Sequence, residues 1–253
     1  MPLPLTLNDH LSTIEADAAR IRVAYDTDRS GRIPWSDRWT VRTVARHVAR
    51  AHHLVAGIIH GRPNADFGLV DSIELPAKDD PGFPAWFEAG TGALCDALRS
   101  TDLDEPCWTS VPAGRVVRFW LTRMTAETLV HRWDAEVGAG LIPEPFDAAI
   151  AADGVEEYAV LVTPWLRKLH AAPAGPPLQI ACTDAEVSWY LEFTADGGCT
   201  VSTTPLPVRW SLQGPAAGLL LALMGRQSFA DAGVEFEGDP MILERRDELL
   251  PGA

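Results

Sequence analysis

Glu127 and His131 stand four residues apart in the run Arg123-Met-Thr-Ala-Glu127-Thr-Leu-Val-His131-Arg-Trp-Asp-Ala-Glu136. On a helix this spacing points two donor side chains at one spot, and a divalent cation suits that spot. The run follows the turn Pro112-Ala-Gly114 and has no interior Gly or Pro, so a helix is expected from about Val117 to Val137. At ~100° per residue, Trp120, Met124, Glu127, His131 and Asp134 fall on one stripe. A carboxylate buried among large apolar side chains there needs a partner. The pair alone is equally satisfied by a plain Glu–His hydrogen bond on a partly wet face.

A third donor is available in the helix expected from Trp39 to His60, where His47 lies with Val44, Ala51, Leu54, Val55 and Ile58 on an apolar stripe. Arg42, Arg46, Arg50 and His53 take the opposite side, and the arginines are expected to form a solvated face. His52 falls on the flank and His60 at the end, so both are expected in solvent. His47, pointing inward, is either a ligand or a neutral core histidine bonded to a backbone carbonyl. Two imidazoles and one carboxylate around zinc leave a fourth position open. The same set also matches the facial ligands of non-haem iron. With water in the open position the protein would be a hydrolase, although no further general base stands within the motif. With no turnover it would be a carrier or sensing module.

Further stretches of helix must position these donors. A first helix is expected from Leu7 to Tyr25, capped by Asn8 or Asp9, and the second ends at Gly61-Arg-Pro63. A further helix runs from about Ala85 to Leu98, and one from about Phe146 to Leu169 closes the bundle. The irregular stretch from Arg62 to Pro84 is long for a compact domain, which makes it a candidate rim or lid. After the linker Ala171 to Pro177 the pattern alternates, giving strands at Leu178 to Cys182, Val187 to Phe193, Cys199 to Thr203 and Val208 to Leu212. A helix from Gly214 to Gly225 is apolar all round and must be covered; a last strand is expected to include Val234 to Glu237, and Glu244 to Ala253 reads as a charged tail. The expected fold is α+β, with a helical bundle over residues 1–170 and a small α+β domain over 177–253.

At 253 residues and 47% hydrophobic content the chain can bury a sizeable core. No apolar run reaches the ~18 residues of a membrane span, and Met1 to Thr6 lacks the marks of a signal peptide, so a cytoplasmic protein is expected. A formal net charge of −14 argues against a nucleic-acid partner, whose phosphates need a basic face. Cys95, Cys107, Cys182 and Cys199 have no C-x-x-C spacing and are expected to be free thiols, with a Cys182–Cys199 disulfide as the alternative. Lys78 and Lys168 are the only lysines against many arginines, a bias of GC-rich genomes.

These residues carry a resemblance. The segment Asp37-Arg-Trp39-Thr40-Val41-Arg42 leading to His47, and Phe119-Trp120-Leu121 with Arg123-Met124 leading to Glu127 and Val130-His131-Arg132-Trp133-Asp134-Ala135-Glu136, resemble the N-terminal domain of the mycothiol-dependent maleylpyruvate isomerase family. That family belongs to the wider DinB/YfiT-like group of metal-binding four-helix bundles. Val208 to Arg226, with Gly214-Pro-Ala-Ala217 and Gly225-Arg226, is similar to the family's C-terminal domain. The resemblance implies a zinc site made of His47, Glu127 and His131, with mycothiol, a low-molecular-weight thiol, as co-substrate and an actinobacterial setting. Iron-dependent sulfoxide synthases of the same superfamily resemble a three-histidine set, so Glu127 favours zinc over iron. Ala126 departs from the His found there in many relatives, which leaves the electrophilic substrate open.

A thiol coordinated at such a site is a thiolate near neutral pH and a nucleophile. Added to an activated cis double bond, it gives an adduct that can rotate and eliminate to the trans isomer; without elimination the outcome is thiol S-transfer. Arg226 resembles the family's Gly-Arg ending and is the candidate to hold an acidic substrate, or else it complements the helix C-terminus. Asp134 either orients an imidazole or pairs with Arg132 or Arg123. Oligomeric state is left open, with a monomer compatible.

Overall fold

The computed structural model describes residues 5–61, 64–65, 68, 72–112, 114–170, 174–239 and 250. By contact the chain divides into two compact units, one over Leu5–Glu144 and one running on from Pro145. Parts of the expected lid (62–63, 66–67, 69–71), of the linker (171–173) and of the charged tail (all but Leu250) lie outside the described residues.

The first unit consists of α1 (Leu7–Asp28), α2 (Val41–Gly61), α3 (Phe83–Ser100) and α4 (Val117–Gly138). The cap of α1 is Thr6 and not Asn8 or Asp9: its side chain accepts from Asp9 N while Asp9 accepts from Thr6 N, a reciprocal capping box. α4 packs against α1 and α2, and α3 against the same two helices. Between them lies a core that includes Ile21, Tyr25, Val41, Val44, Val48, Phe83 and Phe87. α2 buries Val41, Ala45, Val48, His52, Val55 and Ile59, a strict 4-3-4-3-4 spacing. This stripe is turned from the expected one. His52, expected in solvent, is fully buried and bridges Thr91 of α3 (3.0 Å) and Thr128 of α4 (2.9 Å).

α4 is buried on most of its circumference, polar residues included. Arg132 is the chief example: it donates to Asp17 of α1 at 3.0 Å, to Glu136 at 3.0 Å and to the Glu144 carbonyl. Glu136 also takes Arg20 of α1 and the Glu144 backbone N–H. Buried charges persist only with such pairing. At the C-terminal end of α4 the connection from α1 passes backbone to backbone. A Cβ on Gly31 would sit 1.9 Å from the Gly138 carbonyl oxygen, so only glycine permits the approach. That approach sets residues 29–40 beside α4, with Trp35 against Trp133 (4.6 Å) and Trp39 against His131 (5.5 Å).

The second unit begins with the segment expected to close the bundle. It is a broken helix: α5 (Ala148–Glu156), a π-helical turn (Glu157–Val162) and α6 (Thr163–Leu169). Pro164 in the first turn of α6 has no N–H to give to the preceding turn, and the register change absorbs this. α5 packs against α7 (Ala216–Leu223), within this unit. Five strands, β1 (Leu178–Cys182), β2 (Val187–Phe193), β3 (Cys199–Ser202), β4 (Trp210–Gly214) and β5 (Glu235–Glu237), form a mixed sheet of order β3-β2-β1-β4-β5. Only β1 and β4 run parallel. β4 starts two residues later than expected, at Trp210, where the pairing with Leu178 of β1 begins. Cys182 and Cys199 lie on β1 and β3 with β2 between them, and all four cysteines are free thiols. Together the four helices of the first unit and the mixed sheet of the second make the fold α+β.

Candidate metal centre

His47 comes from α2, and Glu127 and His131 from α4, one turn apart. Their ligating atoms all lie within 4.8 Å of one another, and no other such group occurs among the described residues. Glu127 Oε1 sits at the centre, 2.7 Å from His47 Nε2 and 3.3 Å from His131 Nε2. A tetrahedral ion with bonds of ~2.1 Å separates its ligands by roughly 3.4 Å, so two nitrogens and an oxygen so placed fit a small divalent cation. The fit extends to the far side of His131, where Nδ1 donates to Asp134 Oδ2 at 2.8 Å. That bond fixes the ring so that Nε2 faces the other donors. Of the two roles considered for Asp134, the orienting one is seen.

The three donors differ in exposure. His131 and Glu127 side chains are 8% and 13% exposed, whereas His47 is 41% exposed. The expectation of an inward His47 is therefore corrected: the stripe of α2 turns Val44, Val48 and His52 inward, and His47 stands at the solvent side of the donor set. Trp39 walls the other side, stacked on His131 at 18° and tilted against His47 at 5.1 Å between centroids. Trp39, expected as the first residue of the second helix, stands instead in the stretch before α2, which starts at Val41, so helical periodicity says nothing of where it points.

Arg123, one turn before Glu127, donates to its second oxygen, Oε2, at 2.5 Å. The i, i+4 spacing was the visible signal for this pair. Burial raises the Glu127 carboxyl, but the Arg123 guanidinium and the two imidazoles outweigh it and hold the group well below the usual carboxylate range. Burial likewise lowers His131, and its hydrogen bonds to Asp134 and Glu127 outweigh that, carrying it up to about 9. The site is thus an anion held among donors, with a proton that a cation can replace.

Other expected features settle as follows. His53 is half-buried, its Nε2 against the Trp86 carbonyl and its ring 4.2 Å from the Trp86 ring, and His60 is exposed; neither joins the donor set. The arginine ridge of α2 is not simply solvated, since Arg42 pairs with Asp79 (2.9 Å) and Arg46 donates to the Ala77 carbonyl (3.3 Å). Ala126 is buried in the bundle. The thiols of Cys95, Cys182 and Cys199 are all pushed up to about 12 by burial, which leaves these three without thiolate character near neutrality.

In the second unit Arg226 follows Gly225, whose positive φ of 75° ends α7. Arg226 N donates to the Leu221 carbonyl and Gly225 N to that of Ala222, the paired bonds of a Schellman ending. The Arg226 guanidinium itself donates to the Met224 carbonyl at 2.6 Å, so a helix-end role is present in the structure.

Comparison with known proteins agrees with the two-part layout. The family model for the mycothiol maleylpyruvate isomerase N-terminal domain matches residues 11–136, and that for the MDMPI C-terminal domain matches residues 149–245. Crystal structures of the mycothiol-dependent maleylpyruvate isomerase and of a histidine-to-alanine mutant of it are similar over 92% of this chain and 93% of theirs, with TM-scores of 0.61 and 0.60. At 15% identity this likeness speaks for the fold. No curated protein matches the chain. With both family domains matched in order along its length, the chain belongs to the mycothiol-dependent maleylpyruvate isomerase family.

Proposed function

We propose that the protein is a zinc-dependent enzyme that uses mycothiol as co-substrate and acts on a small electrophile, by cis–trans isomerisation or by thiol S-transfer. The observation that carries this is the convergence of His47, Glu127 and His131 within 4.8 Å, backed by Asp134. Zinc, when bound there, supplies a Lewis acid that makes a coordinated thiol a thiolate near neutral pH. The residues of the chain supply the rest. Asp134 holds His131 in one tautomer and orientation, and Trp39 keeps one side of the donors shielded. His47, at the solvent side, leaves room for an external thiol to approach. The high pKa of the three shifted cysteines supports a thiol brought from outside over one from the chain. Arg226 is proposed to hold a carboxylate of the substrate. No described helix is long and apolar enough to cross a membrane, and a cytoplasmic location, where mycothiol would be available, goes with this proposal.

The test is elemental analysis of untagged protein followed by assays with mycothiol and maleylpyruvate, and with mycothiol and a panel of electrophiles. One equivalent of zinc with mycothiol-dependent isomerisation supports the isomerase; consumption of thiol with an electrophile supports S-transfer. Iron in place of zinc corrects the metal. Hydrolysis of esters or amides without thiol, or zinc with no thiol binding, overturns the proposal. For Arg226, the variant Arg226→Ala is expected to raise KM for acidic substrates with unchanged zinc content.

A further inference from the structure

We propose that Arg123 is a positioning residue: it withholds one oxygen of Glu127 from the cation, so that this carboxylate serves through a single oxygen and a coordination position stays available to the thiol. The inference rests on the metal site proposed above. Glu127 divides its two oxygens between different partners. Oε1 faces His47 Nε2 at 2.7 Å and His131 Nε2 at 3.3 Å, while Oε2 is taken by Arg123 Nη2 at 2.5 Å. Carboxylates bind cations through one oxygen or through both, and the second mode needs both oxygens turned to the ion. Here the charge-assisted bond to Arg123 turns one of them away.

The arrangement is rigid for two reasons. Arg123 and Glu127 are one turn apart on α4, so the helix fixes the separation of their backbones. Both side chains are largely buried, at 19% and 13% exposure, where water competes little for the bond between them. The consequence for coordination is a matter of counting. Two imidazoles and one carboxylate oxygen fill three places of a four-coordinate ion, whereas a carboxylate using both oxygens fills the fourth. The positive charge of Arg123 also opposes the cation, so its presence costs ion affinity. A residue that weakens ion binding and keeps a place free fits a centre built for an exchangeable ligand, not for ion storage.

The test uses the full-length protein loaded with Co²⁺, whose visible absorption reports coordination number, with mycothiol as the added thiol. For Arg123→Met the expectation is ion affinity equal to or above wild type, mycothiol affinity reduced at least tenfold, and no thiolate-to-cobalt charge-transfer band at mycothiol concentrations that produce one in the wild type. Arg123→Lys, which keeps a charge near Oε2, is expected to restore most of the thiol affinity. Far-UV circular dichroism and thermal melting of both variants separate these effects from misfolding; if Arg123→Met does not fold, Arg123→Ala, which also removes the charge, carries the comparison with the same expected and overturning results. Arg123→Met with the wild-type cobalt spectrum and wild-type mycothiol affinity overturns the role of Arg123 alone. A wild-type chain that takes up no cobalt overturns the metal site itself.

Discussion

Each polar side chain in the run from Glu127 to Glu136 has its own task. Glu127 and His131 are donors, Asp134 aims His131, Trp133 rests on Trp35, and Arg132 and Glu136 tie α4 to α1. The first prediction concerns the aiming group. Removal of a carboxylate behind a ligating histidine commonly lowers ion affinity 10- to 100-fold, and Asp134→Ala is expected to fall in this range. Competition with a chromophoric chelator measures it, and an unchanged affinity would deny Asp134 that role. The ligands are distinguished by a pair of substitutions: His131→Ala should abolish ion retention, while His60→Ala, at an exposed ring bonded to the Ala56 carbonyl, should leave it intact. A third prediction follows from the His131 pKa of about 9. Without the ion, protonated His131 contributes stability that is complete below about 6.5 and is lost as pH rises through 9. Because a cation must displace this proton, ion binding at pH 7 should release close to one proton, and affinity should climb about tenfold per pH unit up to pH 9. Calorimetry in buffers of different ionisation enthalpy reads the proton count; a count near zero would place the proton elsewhere.

The helices hold these side chains through buried ionic links as much as through apolar packing. Arg132, 2% exposed between Asp17 and Glu136, is the central link between α1 and α4. Arg132→Ala leaves two buried carboxylates short of a partner and is expected to destabilise the protein by about 3–5 kcal/mol in urea unfolding, a loss below about 1 kcal/mol being incompatible with that burial. Asp17 adds a pH dependence of its own. Burial raises it to about 6 despite the Arg132 charge, so the stability it contributes is greatest below about 4 and declines as pH rises through 6. Asp17→Asn should flatten the stability profile between pH 4 and 6. The positions of these helices were legible in the sequence, since the Gly and Pro breakers between them and the 3.6-residue period mark α1 to α4 to within a few residues. The phase of α2 was not. Counting apolar residues turned His47 inward and His52 outward, because His52 is an imidazole that reads as polar yet is buried between two threonine hydroxyls contributed by α3 and α4. Nothing in α2 itself announces those hydroxyls. The donor triad was legible from spacing together with the family resemblance, whereas Trp39 and the division of labour on Glu127 depend on a neighbouring loop and on side-chain direction.

For the whole molecule, the division after Glu144 agrees with the gap between the two family matches, at 136 and 149. All three proposed ligands, Asp134, Arg123 and Trp39 fall within Leu5–Glu144, as do the four helices and their core. Glu144 is itself needed there, because its backbone N–H and carbonyl complete the Glu136 and Arg132 bonds. A unit that owns its core and its buried charge pairs should fold alone. A chain truncated after Pro145 is therefore expected to unfold cooperatively in urea and to bind one equivalent of zinc with an affinity within about threefold of the full protein. Its turnover should be lost if the proposed carboxylate contact of Arg226 is required, since Arg226 lies in the second unit. The two readouts discriminate between separate ideas. Loss of zinc on truncation would mean that the bundle is not self-sufficient as an ion site. Full isomerase activity from the truncated chain would remove Arg226 from the reaction and leave the chemistry to the bundle alone.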